Sequence, residues 1–277
     1  MRNKVGVMQG RLLKKYKGRY QAHPLGYWDM EFANARDVGL DCIEFILDFN
    51  DSELNPLLSE NGTNEILRLV EKTGVNVISI CADYFMDAPL HSKDLKVALL
   101  SQKILHRLLD SGKKLGITDI VLPCVDQSSL VGKEANDRFV RNLYPLLDIA
   151  ETYHINLSLE TDLPPQAFGE LLDRFDSNRL SVNYDIGNSA SLGFNPIEEL
   201  NIYGHKVTDI HIKDRTLSGG PVELGKGDAD FKKIFQKLKE INYTGPFIMQ
   251  AYRDEEGVEI FKKQLSWVTP YIESLYE

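Results

Sequence analysis

Three stretches decide how this chain reads: INLSLETD (155–162), LSVNYDIGN (180–188) and VTDIHIKDR (207–215). Each is a short apolar strand that runs out on a side chain able to bind a metal. The three residues are Glu160, Asp185 and His211, spaced 25 and then 26 residues apart. That spacing fits one strand, one helix and two loops. In a closed parallel barrel the carboxyl ends of successive strands share one rim, and active sites are built there. A histidine in a strand is usually a satisfied core residue. An acid just past a strand is usually a turn former or helix cap. Three such residues in phase at successive strand ends point instead to a divalent-metal site.

Outward from these stretches the chain alternates. Apolar runs at 4–8, 41–48, 75–83, 117–125, 155–160, 180–185, 206–214 and 246–252 read as strands. Amphipathic segments at 28–40, 61–74, 94–116, 132–154, 166–176, 228–245 and 256–276 read as helices, with a short one at 196–204. Thr63 is the expected N-cap of the second helix, and Gly74 its stop. Strand–helix alternation favours a parallel sheet with right-handed crossovers. Eight units in 277 residues favour closure into a (β/α)8 TIM barrel, one domain over 1–277. No GxGxxG follows strand one, and no GxxxxGK[ST] occurs, so nucleotide-binding folds lack their signatures.

Bulk properties narrow the function. A net charge of −9 opposes a nucleic-acid partner, since phosphate binding needs a cationic surface. No apolar run is long enough to span a membrane, and the N-terminus lacks a secretory h-region. Cys42, Cys81 and Cys124 form no short-loop framework and read as buried or rim thiols of a cytoplasmic protein.

Strand eight ends at Gln250, where a fourth ligand is expected. Glu, Asp, His and an amide oxygen suit Mn²⁺, Mg²⁺ or Co²⁺, and Zn²⁺ is also compatible. Around this centre other rim residues are candidates for contact with substrate. Lys213 shares the face of His211 by strand alternation. Lys226, in the Gly-rich loop TLSGGPVELGKGDADF (216–231), sits among backbone N–H groups that could hold a phosphate. Glu44 closes strand two and is read as a support to the ligands or a contact to a sugar hydroxyl. Gln9 and Arg11 follow strand one, and Asp83 and Tyr84 follow strand three. Asn188 reads first as a turn former, with a hydroxyl contact as the alternative. His91, His106, His154 and His205 read as surface or capping residues, and His23 could close over the site.

Longer strings add a resemblance. VNYDIGNSASLG (182–193), DIHIKDR (209–215) and VELGKGDADFKKIFQKLKEINYTGPFIMQ (222–250), with GVMQGRL (6–12) and GLDCIEFILD (39–48), resemble the sugar-phosphate isomerase/epimerase branch of the xylose isomerase-like TIM barrels. They are most similar to the L-ribulose-5-phosphate 3-epimerase (hexulose-6-phosphate isomerase-like) group. The resemblance implies a metal held by Glu, Asp, His and Glu after strands five to eight, the two Glu also serving as opposed acid–base residues. Glu160, Asp185 and His211 fit that pattern. Gln250 does not, because an amide oxygen can ligate a metal but cannot take up a proton. The implied activity is metal-dependent isomerisation or epimerisation of a ketose or ketose phosphate. Glu160 would be its base, a small sugar its partner, and a homo-oligomer is allowed. Rival readings are a metal-dependent dehydratase of a polyol or inosose, and a sugar-binding relative without catalysis because of Gln250. An endonuclease IV-type repair enzyme would need further strand-end histidines that the chain lacks.

Overall fold

The computed structural model describes residues 2–276. Eight parallel strands close a barrel: β1 (Val5–Met8), β2 (Cys42–Ile46), β3 (Asn76–Cys81), β4 (Asp119–Cys124), β5 (Asn156–Thr161), β6 (Leu180–Asp185), β7 (Val207–Ile212) and β10 (Phe247–Met249). Each pairs with its neighbour in sequence, and β10 closes the ring between β7 and β1. A minor antiparallel pair, β8 (Asp214–Arg215) and β9 (Pro221–Val222), stands beyond β7 and was not legible as strand.

The helices pack outside this ring: α1 (Met30–Val38), α2 (Glu60–Thr73), α3 (Tyr84–Asp87), α4 (Leu95–Leu115), α5 (Lys133–Tyr153), α6 (Pro165–Leu172), α7 (Ile186–Leu192), α8 (Pro196–Ile202), α9 (Phe231–Glu240) and α10 (Val258–Glu273). Gly74 ends α2 in the left-handed conformation, as expected. The N-cap is Ser59, whose hydroxyl accepts from Gly62 N. Thr63 lies one turn inside, and its hydroxyl donates back to Ser59 and Glu60 carbonyls. Two short helices escaped the sequence reading. In α7, Asp185 is both strand end and N-cap, accepting from Asn188 N at 2.8 Å. In α3 a single turn follows Asp83.

Two apolar clusters form. The larger fills the layer between sheet and helices, with Phe32, Phe45, Phe139, Phe235 and Phe247 among its largest members. The smaller, Met8, Cys42, Ile46, Ile78, Cys81, Val121 and Ile248, comes from β1–β4 and β10 alone. Gly6 makes the tight approach of β1 to both neighbours possible. A Cβ there would stand 2.5 Å from Cys42 Sγ and 2.9 Å from Ile248 Cδ1. All three cysteines are buried and free. Among the described residues no helix is long and apolar enough to cross a membrane.

Candidate metal centre and active site

Strands β5, β6 and β7 carry the three expected side chains to one place. Ligand atoms of Glu160, Asp185 and His211 lie within 4.8 Å of one another. His211 Nδ1 is 3.9 Å from both Glu160 Oε2 and Asp185 Oδ2. The register explains the convergence: Asp185 pairs directly with His211 across β6 and β7. Ile248 of β10 pairs with the same histidine, and Gln250 N donates to Ile212 O at 3.1 Å.

The opposite ring nitrogen has a different partner. His211 Nε2 is 2.7 Å from Glu44 Oε1, and both residues are 0 % exposed. Glu44 therefore meets the imidazole at the nitrogen opposite the one that faces Glu160 and Asp185. Asp209 lies beside it, its Oδ2 4.0 Å from His211 Nε2, and accepts from Asn183 Nδ2.

Asn188 is a hub rather than a simple turn former. Its side-chain amide donates to Glu160 Oε1, and its carbonyl accepts from Lys213 Nζ at 3.1 Å and Arg215 Nη1 at 2.8 Å. Lys213 Nζ also reaches Asp185 Oδ2 at 3.0 Å. That approach needs Gly187, where a Cβ would meet Lys213 Cγ at 2.6 Å. One turn of helix thus links the Glu160 and Asp185 carboxylates to Lys213 and Arg215.

Other expected contacts fall elsewhere. The Gly-rich loop does not offer a free phosphate cradle. Gly225, Gly227 and Ala229 donate their N–H groups to the Asp214 carboxylate at 2.9, 2.9 and 3.2 Å. An internal anion already fills that nest, and Lys226 is exposed to solvent beside it. Gln9 is only 1 % exposed, and its carbonyl accepts from Ile46 N and faces His23 Nδ1, both at 3.0 Å. It ties the first loop to β2 and does not line an open pocket. His23 is buried against Trp28 and Phe45, and burial pushes its imidazole down to about 4, so it is neutral. His91 is also buried, edge-on to Phe139, so it is not a surface residue. His106, His154 and His205 are exposed as expected, and His154 caps α5.

Electrostatics set the character of the centre. Burial, then repulsion by Asp185, raises the Glu160 carboxyl to about 7. Burial acts the same way on Asp185, but Lys213 and His211 outweigh it and hold Asp185 well below the usual carboxylate range. Burial disfavours a charged His211, yet Glu44 and Asp185 raise it well above an ordinary imidazole. Burial and then Glu44 push the Asp209 carboxyl well above the usual carboxylate range.

The donor set fits a divalent cation. Among the described residues, His211 Nδ1 and Gln250 Oε1 are buried polar atoms with no hydrogen-bond partner, and each belongs to a residue expected to ligate. One imidazole nitrogen, two carboxylates and an amide oxygen satisfy a borderline or hard ion.

A small cavity touches Glu160, Asp185 and Asn188. It is also lined by Val182, Tyr184 and Tyr203, so it opens behind β6, between the wall and α6–α8. It is not the mouth of the barrel. The buried Glu199 carboxylate fills its far end and accepts from the hydroxyls of Tyr184, Ser189 and Tyr203.

Residues 32–271 match the xylose isomerase-like TIM barrel family, and the chain belongs to it. A putative L-ribulose-5-phosphate 3-epimerase, SgbU of Haemophilus influenzae, is 25 % identical over 262 residues, 89 % of this chain and 92 % of the relative. The L-ribulose-5-phosphate 3-epimerase UlaE of Salmonella heidelberg is 27 % identical over 256 residues, 87 % of this chain and 88 % of the relative. Among solved structures, the zinc-bound IolI protein superposes with a TM-score of 0.75 at 18 % identity, covering 98 % of this chain and 97 % of its own. That last likeness is one of fold.

The sequence reading missed several members of the centre: Asp209, Asn183, Arg215 and Gln21. A period-2 count would have found two of them. Asp209 and Asn183 lie two residues before His211 and Asp185, on the same strand faces. Arg215 lies in the two-residue β8 and Gln21 in a loop, and no local pattern marks them.

Proposed function

We propose that this chain is a divalent-metal-dependent enzyme that isomerises or epimerises a ketose or ketose phosphate by moving a proton next to the carbonyl. The observation that carries the reading is the meeting of Glu160, Asp185 and His211, whose Nδ1 is buried without a hydrogen-bond partner among the described residues. The names of the relatives, both 3-epimerases of a ketopentose phosphate, support the same class.

Glu160, Asp185, His211 and Gln250 would hold the metal, which supplies Lewis-acid polarisation of a substrate carbonyl when bound. Glu44 keeps Nε2 of His211 engaged, so Nδ1 faces the other ligands. Glu160 is the proton acceptor. Its carboxyl, raised towards neutrality, suits a group that must take and return a proton near pH 7. Asn188 holds Oε1 of Glu160, while Oε2 faces His211 Nδ1 at 3.9 Å. Lys213 and Arg215, joined through Asn188, are placed to hold hydroxyl or phosphate oxygens.

Gln250 narrows the reaction. It cannot serve as a second base, so protonation from the opposite face lacks its acid. Glu160 can instead take the proton from one carbon and return it to the adjacent carbon on the same face, through the substrate's enediol. That is aldose–ketose isomerisation, and we favour it over 3-epimerisation. The four donor residues are buried, none more than 6 % exposed. The three buried free thiols suit a cytoplasmic setting.

The test is solvent-deuterium incorporation into a panel of ketopentoses and ketohexoses and their phosphates, with Mn²⁺ present. Label at the carbon next to the carbonyl, with an aldose as product, is expected. Tight sugar binding with no label in any member would favour the alternative that Gln250 marks a binding protein without turnover.

A further inference from the structure

The fourth ligand position raises a question that Gln250 alone does not answer. An amide can roll by half a turn, and only one orientation presents oxygen to a cation. The structure contains a device that selects the orientation. Gln250 Nε2 donates to Gln21 Oε1 at 2.9 Å, which leaves Gln250 Oε1 buried and without a partner. Gln21 is itself held from two sides. Its Oε1 also accepts from Arg11 Nη2 at 3.0 Å, and its Nε2 donates to Asp83 Oδ2 at 2.8 Å. A flipped Gln21 would set its NH2 against a guanidinium and its carbonyl against a carboxylate. Each contact would turn from attraction to repulsion.

The loop that carries Gln21 is anchored as firmly. Arg11 is fully buried, donates to Ala251 O and Tyr20 O at 3.1 Å each, and lies 4.9 Å from the Tyr20 ring. The buried Glu31 accepts from Gly10 N and Leu12 N at 2.5 and 3.0 Å. Arg253 donates to Gly10 O and Leu13 O at 2.6 and 2.5 Å. Gln21 therefore offers an acceptor at a fixed point, and the residue at 250 must meet it with a donor. An ionised glutamate at 250 would set oxygen against oxygen.

We infer that Gln21 is a positioning residue that fixes the amide of Gln250 with its carbonyl oxygen towards the cation, so that positions 21 and 250 are a matched pair built for a neutral fourth ligand. This inference rests on the metal reading of the site. On this account Gln250 is an integral part of the centre rather than a damaged carboxylate.

A double-mutant cycle tests it, read as the dissociation constant of Mn²⁺ alone, without substrate. The four proteins are the parent, Gln21→Met, Gln250→Ala and the double variant. Gln21→Met is expected to weaken Mn²⁺ binding about tenfold, the range for residues that orient a ligand. In the Gln250→Ala background the same change is expected to move affinity by less than about twofold, because the partner is gone. Gln21→Glu keeps the acceptor for Gln250 but sets an oxygen against Asp83 Oδ2, so it is expected to weaken Mn²⁺ binding less than Gln21→Met does. A metal-free check is the exchange rate of the Gln250 side-chain amide protons, slow in the parent and faster in Gln21→Met. Equal losses in both backgrounds, or no loss in either, overturn the inference and leave the metal reading standing. A parent that binds no Mn²⁺ overturns the metal reading, and this inference with it.

Discussion

The inside of the barrel has two unlike walls. From β10 through β1 to β4 it is mostly apolar, with Met8, Cys42, Ile46, Cys81, Val121 and Ile248 packed against one another. From β5 to β7 it is polar from end to end. At the foot, Asp119 of the adjoining β4 turns towards this wall, and its Oδ1 accepts from Asn156, Ser158 and Thr208 at 3.0, 2.8 and 2.6 Å. Above it come Asn183 and Asp209, and at the rim Glu160, Asp185 and His211. Glu44 reaches across from the apolar wall to join them. One wall gains stability by excluding water. The other concentrates buried acids that repel one another, which lowers stability unless a cation or protons balance them. The difference separates the two tasks of the fold: one arc holds the barrel closed, and the other holds charge.

The largest expected effect breaks the polar wall from behind. Glu44→Gln removes the carboxylate on His211 Nε2 without touching the donor atoms. Mn²⁺ affinity, measured by titration calorimetry, is expected to fall roughly 10–100-fold. A fall of less than about twofold would mean that Glu44 does not orient the ligand.

The next effect follows from pH. The Glu160 carboxyl is raised in the fold from 4.5 to about 7, by burial first and Asp185 second. A raised carboxyl favours the protonated folded state. In metal-free protein its contribution is therefore lost as pH rises from about 4.5 to about 7, and no further loss comes from this group above that. The melting temperature of chelator-treated protein is expected to fall across this window. Saturating Mn²⁺ should abolish the fall, and Mn²⁺ affinity should climb as pH rises, since metal and proton compete for Glu160 and His211.

The smallest effect belongs to the apolar wall. Ile46→Val leaves every polar group in place and removes one buried methylene. It should cost about 1 kcal/mol and lower the melting temperature by roughly 2–4 °C. Mn²⁺ affinity should not change. A large loss of metal binding here would show that the two walls are not independent.

The contrast also explains what the sequence revealed. The barrel was legible because eight apolar runs alternate with helical periodicity. The triad was legible because its members end consecutive strands. Less legible were features made by contacts distant along the chain. Asn188 looks like a turn residue in DIGN, yet α7 places it between Glu160 and Arg215. The glycines at 225 and 227 look like a phosphate loop, yet they wrap Asp214. Gln21 has no signature, because its role is set by Arg11, Asp83 and Gln250 together.

The metal content of the purified parent protein bears most directly on the account. Protein dialysed against Mn²⁺ and then against metal-free buffer should retain one ion per chain by plasma mass spectrometry, and should lose it in the presence of a strong chelator. A chain that retains no divalent ion under these conditions contradicts the reading of the polar wall as a cation-binding centre.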